Sequence, residues 1–202
     1  MALHSVGMQR TPIERAIGKH NHMDIYAHLA GMKPLVAASA WDRLEATYHA
    51  LAAELAGPEQ ADVIARLDFP SYGARLQPCF MQALQAAARC RATAVYFEYD
   101  LDNDWQSNFF LCEKYSSESA DDDDWACDWI EDCSGPDFPE ASEVYLENHF
   151  DRTPTAKGST LYLVARTVAA FGRCFEQAAS PAITTCIAFH DQTPVLRIFE
   201  AG

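Results

Sequence analysis

The chain has 202 residues, 49% of them hydrophobic, and a formal net charge of −14. That length and apolar content suit one domain with a real core rather than a disordered chain. The acidic balance argues against nucleic acid and anionic lipid surfaces as direct ligands, because both call for clustered Lys and Arg.

Thr11-Pro12 opens a helix that runs to about Ala30 and stops at Gly31, with Pro just inside the start and Gly just past the end. Ser39 is placed to cap a second helix, with Asp42 as its capping-box partner. Along it Trp41, Leu44, Tyr48, Leu51 and Leu55 recur at alternating spacings of three and four, one buried stripe, before Gly57-Pro58 ends it. A short helix follows from Glu59 to Leu67, and another from Pro78 to Arg89.

Strands begin at Thr93 to Tyr99, rich in β-branched and aromatic residues. After a turn at Asp100 to Ser107, Asn108 to Tyr115 has similar character and pairs with it as a hairpin. A polar break from Ser116 to Asp124 leads to a third strand, Trp125 to Ile130, which Gly135-Pro136 terminates. Pro139 to Asn148 reads as a short helix, and Ser159 as the cap of another with a seam of Leu161, Val164, Val168, Phe171 and Phe175. Ala182 to His190 and Val195 to Glu200, joined by Asp191 to Pro194, close the chain as a second hairpin.

Helices, then three strands, two helices and two strands do not make the alternation of a doubly wound sheet. The order predicts a single α+β domain over residues 1–202, mainly helical over 1–90 and mainly sheet with helices over 91–202. Its sheet is mostly antiparallel with about five strands, and the N-terminal helices and the buried helix of the second half pack on it. Met1 to Arg10 lacks the basic start and apolar run of a secretory signal. No stretch reaches the roughly 18 consecutive apolar residues of a membrane span. Seven cysteines, an odd count without a C-x-x-C pair, read as reduced thiols. Together these features imply a cytoplasmic protein.

Candidate chemistry is sparse. The Asp100-Leu-Asp102-Asn-Asp104 turn fails as a calcium loop, because Trp105 and Leu111 hold the positions that need Gly and a bidentate Glu. As a phosphotransfer-type nucleophile it would be followed by a small-residue loop and a helix, whereas a strand follows. Asp and Asn are also ordinary turn residues. His20, Asp24 and His28, spaced by four on a helix, fall along one stripe with ligand types suited to zinc or iron, but no local motif such as H-E-x-x-H accompanies them. No P-loop, G-x-G-x-x-G or G-x-S-x-G is present, and the residues call for no cofactor.

The charge is concentrated. Glu98 to Asp151 holds 18 acidic residues against the single base Lys114, a net −17, which leaves +3 for the remainder. Three of the four tryptophans, Trp105, Trp125 and Trp129, lie in the same region. Aromatic rings among carboxylates combine contact area with long-range attraction for a basic partner. The candidate partner-binding set is therefore Asp100, Asp102, Asp104, Trp105, Asp121, Asp122, Asp123, Asp124, Trp125, Asp128 and Trp129. The other arrangement of the same pattern has the tryptophans facing the core and the carboxylates solvating the opposite side; by strand alternation Trp125, Cys127 and Trp129 share one face.

Tyr96-Phe-Glu-Tyr-Asp100, Asn108-Phe-Phe-Leu-Cys-Glu-Lys-Tyr115 and Asp121-Asp-Asp-Asp-Trp-Ala-Cys-Asp-Trp129 cover about a quarter of the chain. In these the chain resembles the small acidic immunity proteins of bacterial polymorphic-toxin systems. The resemblance implies a non-catalytic inhibitor that occludes the active site of a basic toxin by steric and electrostatic means. Two other functions stay open at this point: a metal-dependent enzyme using Asp100 and Asp102 or the His20, Asp24, His28 stripe, and a general protein-interaction module.

Overall fold

A computed structural model describes residues 24–120, 124–178 and 182–201. The first half supplies α1 (Ile25–Ala30), α2 (Lys33–Ala37), α3 (Trp41–Leu55), α4 (Pro58–Ala65) and α5 (Phe69–Cys90). Strands β1 (Ala94–Tyr99), β2 (Ser107–Cys112) and β3 (Trp129–Ser134) follow, then α6 (Pro139–Asn148), α7 (Pro154–Gln177), β4 (Thr184–Phe189) and β5 (Leu196–Phe199). The fold is α+β with one mixed, mostly antiparallel five-stranded sheet.

The sheet order is β3-β2-β1-β4-β5, with β1 and β4 parallel at its centre and the other neighbours antiparallel. One face is mainly apolar: Val95, Phe97, Tyr99, Phe109, Leu111, Ile187, Phe189 and Leu196 join the main core, with Ser107 and Thr185 buried among them. There the ring of Phe171 from α7 stacks on Phe97 at 4.8 Å and Phe80 from α5 meets Phe109 at 5.8 Å. The other face is half covered by a second, smaller core of Ala94, Tyr96, Cys112, Cys186, Ala188 and Val195 beneath Trp125.

Several boundaries differ from those the pattern predicts. The helix expected from Thr11 is described only from Ile25, and its stop at Gly31 matches. Ser39 sits at φ 49°, outside α3, and Ala40 takes the N-cap place without a side-chain cap. Helix α5 starts well before Pro78, because Asp68 caps it: its carboxylate accepts from the Ser71 N–H at 3.0 Å and the Ser71 hydroxyl at 2.7 Å. Pro78 withholds one bond from the ladder, but the buried stripe of Phe69, Tyr72, Leu76, Phe80 and Ala83 continues on both sides of it and keeps the helix whole.

The third strand is β3, displaced toward Gly135 from the expected Trp125 to Ile130. Asp124–Cys127 forms instead a short 3₁₀ turn. The turn lets Trp125 reach over the outer sheet face to Tyr96 and Tyr115, with ring centroids 6.2 and 4.9 Å away. Burial of a whole indole outweighs the weak alternation signal.

Helix α7 is capped by Thr153, whose side chain accepts from the Ala156 N–H at 3.0 Å, and Pro154 opens its first turn. Ser159 is therefore an interior residue, fully buried, and not the cap. The helix also buries far more than the expected seam, including Thr160, Arg166 and Thr167. Small residues allow α3 this close. A Cβ on Gly172 would stand 2.5 Å from the Trp41 ring, and one on Gly158 would stand 2.9 Å from Leu55 Cβ.

Arg166 satisfies its buried guanidinium by closing the end of α4. Its Nη1 donates to the carbonyls of Ala65 and Leu67 at 3.0 and 3.2 Å and to that of Ile64, and its Nε lies 3.3 Å from Glu45 of α3. The guanidinium also stacks over Phe69, 4.3 Å from the ring centre. One side chain thus joins α3, α4, α5 and α7. No helix among the described residues is long and apolar enough to cross a membrane.

Replacing Arg166 by Met leaves the carbonyls at the end of α4 without their donor and Glu45 with Arg173 alone, so Arg166→Met is expected to cost about 3–5 kcal/mol of folding stability. Chemical denaturation of the variant beside the parent protein checks this, and a loss under about 1 kcal/mol would contradict the role given to Arg166.

Candidate functional site

The Asp100 to Gln106 turn is held by its own polar groups. The Asp100 N–H donates to the Gln106 carbonyl and the Gln106 N–H to the Asn103 carbonyl, both at 2.9 Å. Asp104 and Trp105 take left-handed backbone angles, φ 53° and 55°. This reversal turns Trp105 inward. Its indole is fully buried, stacks on Tyr99 at 5.3 Å and donates to Thr167 Oγ1 at 3.2 Å. Trp105 is thus a core residue and not a surface anchor, a correction to the expectation, made because a ring of this size gains more from burial than the turn loses in backbone strain.

Asp102 and Asp104 remain exposed at the turn. Asp100 is half-buried, and burial raises its pKa above the ordinary carboxylate range, with its side-chain hydrogen bond to Asp102 adding to the rise. It accepts the Asp102 N–H at 3.4 Å.

Trp125 is likewise buried, 4% exposed, and forms the lid of the smaller core. Trp129 is different. It is 47% exposed, lies at 5.3 Å over Phe110 and adjoins Ile130, itself 46% exposed. Trp125 and Trp129 therefore do not share a strand face as alternation implied. Asp124 and Asp128 are exposed nearby, and Asp128 stands 3.9 Å from Lys114. Asp121, Asp122 and Asp123 lie outside the described residues.

The expected set is thereby divided. The Asp100–Asp104 turn adjoins the Ser107 end of β2, whereas Trp129 pairs with Cys112 at its other end. Six residues of strand put roughly 17 Å between these places. What the fold brings together is an edge: Asp128, Trp129, Ile130, Glu131 and Asp132, with Glu131 3.4 Å from Arg89 of α5.

Two of the three residues of the histidine stripe are described. Asp24 is exposed at the start of α1, and His28 is buried, its carbonyl accepting the Tyr48 hydroxyl. His20 lies outside the described residues. Among the described residues no three His, Cys, Asp or Glu side chains are grouped to hold a metal ion. All seven cysteines are free thiols. Burial pushes Cys112 up to about 12 and Cys174 up to about 11, which leaves both protonated and unreactive near neutrality. A cavity of about 510 Å³ lies between α3, α5 and α7, but its Arg166 and Arg173 are both engaged by Glu45, and Arg173 also by Asp42 at 2.7 Å.

One polar group was illegible in the sequence. On the outer sheet face Glu98 accepts from the Tyr96 hydroxyl at 2.9 Å and lies 3.1 Å from His190 Nδ1. The parallel register of β1 with β4 sets His190 beside Glu98, and the His190 N–H donates to the Tyr99 carbonyl at 2.9 Å. No local spacing connects residues so far apart in the chain. The Glu98 hydrogen bond raises the His190 pKa, and the Tyr96 hydroxyl is raised far more, by burial first.

No family model matches the chain, and no curated protein or solved structure is significantly similar to it.

Two predictions test this placement. Trp105→Ala is expected to cost about 3–5 kcal/mol of stability, as large aromatic deletions from cores do, and Trp129→Ala under about 1 kcal/mol; thermal melts of the two variants decide it. Because the folded-state pKa of His190 lies above the unfolded one, its contribution to stability is complete below the ordinary histidine value of about 6.5 and fades as pH rises through the folded value. Glu98→Gln is expected to lower the His190 pKa and weaken that dependence, with Asp191 and Asp100 still favouring the charged ring, which an NMR titration of the imidazole reads directly.

Proposed function

We propose that this protein is a non-catalytic inhibitor of the immunity kind, which neutralises a basic toxin or effector by occupying it with an acidic, Trp-bearing face. The observation that carries the reading is the edge formed by β3, where Trp129 and Ile130 are the exposed apolar residues and Asp128, Glu131 and Asp132 surround them. The region from Glu98 to Asp151, which contains this edge, bears a net −17. Such a surface attracts a cationic partner over distance and offers an indole to anchor it once docked.

Asp102 and Asp104 stand at the other end of β2 and extend the same negative field without touching the same patch. Trp105 and Trp125 support the reading from within, by holding the turn and the outer sheet face in place. The Asp100 and Asp102 pair has no third ligand grouped with it among the described residues, so no geometry favours a metal-dependent reaction over binding.

The test is capture of a partner from the native host, or with the product of the adjacent gene, followed by binding kinetics across a range of salt. The association rate is expected to fall as salt rises, and to fall at constant salt when Asp128 and Asp132 are both changed to Asn. Trp129→Ala is expected to act on dissociation, with a loss of about 2 kcal/mol or more in binding. An acidic partner, or kinetics indifferent to both substitutions, would refute the reading.

A further inference from the structure

The two edges of the sheet are treated differently. At one edge β5 is covered by α2, which packs against it. At the other, β3 pairs with β2 alone among the described residues. An open strand edge is a row of backbone donors and acceptors that another extended chain can complete.

The orientation of that row follows from the register. Gly135 donates its N–H to the Ser107 carbonyl at 2.8 Å, and the antiparallel pairing sets Asn108 opposite Ser134, Phe109 opposite Cys133 and Phe110 opposite Asp132. In an antiparallel ladder, hydrogen-bonded pairs alternate with unbonded ones. Gly135 and Cys133 therefore turn their backbone groups toward β2, and Ser134 and Asp132 turn theirs away from it. Leu111 pairs with Glu131 and Cys112 with Trp129, so Ile130 is an extra residue that bulges the strand beside its exposed indole.

Charge determines who can use this edge. Glu131 and Asp132 lie in the strand and Asp128 just before it. Pairing of two copies through β3 would bring like charges together, which is a common protection of natural edges. A strand bearing Lys or Arg meets the opposite situation.

Resting on the binding function proposed above, we propose that β3 is the docking edge itself. An extended, basic segment of the partner adds to the sheet as a sixth strand, bonding to the outward N–H and C=O groups of Asp132 and Ser134. Successive strand residues point to opposite faces, so its basic side chains meet Asp132 on the outer face and Glu131 on the other, and an apolar side chain rests on Trp129, which lies over Phe110 on the outer face. This mode draws affinity from main-chain bonds and specificity from alternate side chains.

The experiment uses the full chain and a short synthetic peptide of alternating lysine and valine, beside the same peptide with alternate amides N-methylated and a glutamate-valine counterpart. The lysine peptide is expected to bind, the glutamate peptide not to, and N-methylation to weaken binding about fivefold for each bond it removes. On the protein side, Ser134→Pro deletes one outward N–H without changing charge or a bond to β2. It is expected to weaken binding about fivefold where Ser134→Ala does not. If Ser134→Pro fails to fold, amide exchange in the parent protein gives the same answer: the Asp132 and Ser134 amides become protected only with the lysine peptide bound. Binding that is equal for the N-methylated peptide would overturn strand addition while leaving a basic-partner surface intact. Absence of lysine-peptide binding would overturn strand addition too, and the functional reading would then rest on the partner-capture kinetics. A dimer formed without peptide and dissolved by Ser134→Pro would show the edge taken by a second copy and would equally overturn the proposal.

Discussion

Helix α7 is surrounded, and most of the fold follows from covering it. A helix buried on nearly all sides cannot be served by a single partner, so the sheet takes one side through Phe97 and Phe109, and α3, α5 and α6 take the others. The closeness of α3 depends on Gly158 and Gly172, where any Cβ would strike Leu55 or the Trp41 ring. Burial of this extent brings a guanidinium inside as well. Arg166 is tolerated there because its donors meet carbonyls at the end of α4 and the carboxylate of Glu45, leaving little of its charge uncompensated.

Against that interior, the acidic region divides its labour between aromatic and charged residues. Trp105 and Trp125 serve packing, one in the main core and one over the outer sheet face. Most of the described carboxylates stay at the surface, where solvation limits their mutual repulsion, and ion pairs hold some of them, Glu118 with Lys33, Glu131 with Arg89 and, more loosely, Asp128 with Lys114. Concentrating a net −17 between Glu98 and Asp151 costs the folded state some repulsion.

The remaining polar group on the sheet, Tyr96 with Glu98 and His190, lies toward the opposite end of that region from Trp129. It is a hydrogen-bonded cluster on two central strands, and its geometry is maintained by the parallel pairing of β1 with β4. With one imidazole, one carboxylate and a hydroxyl whose proton burial retains, it acts as a structural tie across the outer face.

Local pattern was enough to determine the α+β class, most of the stripe of α3 (Leu51 is half-buried and Ala52 buried in its stead), the first hairpin and the closing hairpin, because each depends on residues within a few positions of one another and on turn or stop residues beside them. It failed where a distant surface set the outcome. Pro78 read as a boundary, yet α5 runs through it because its apolar stripe is buried on both sides. Ser159 read as a cap, but it lies inside a helix whose true cap is Thr153. The tryptophans show the division most directly: their spacing and the charge around them are legible in the chain, but which ring is covered depends on what the sheet and α7 bring opposite. Only the tertiary structure buried Trp105 against Tyr99 and Thr167, laid Trp125 on Tyr96, and left Trp129 exposed on the open edge of β3. Burial is a property of the contacts a side chain finds, and those contacts come from residues far away in the sequence.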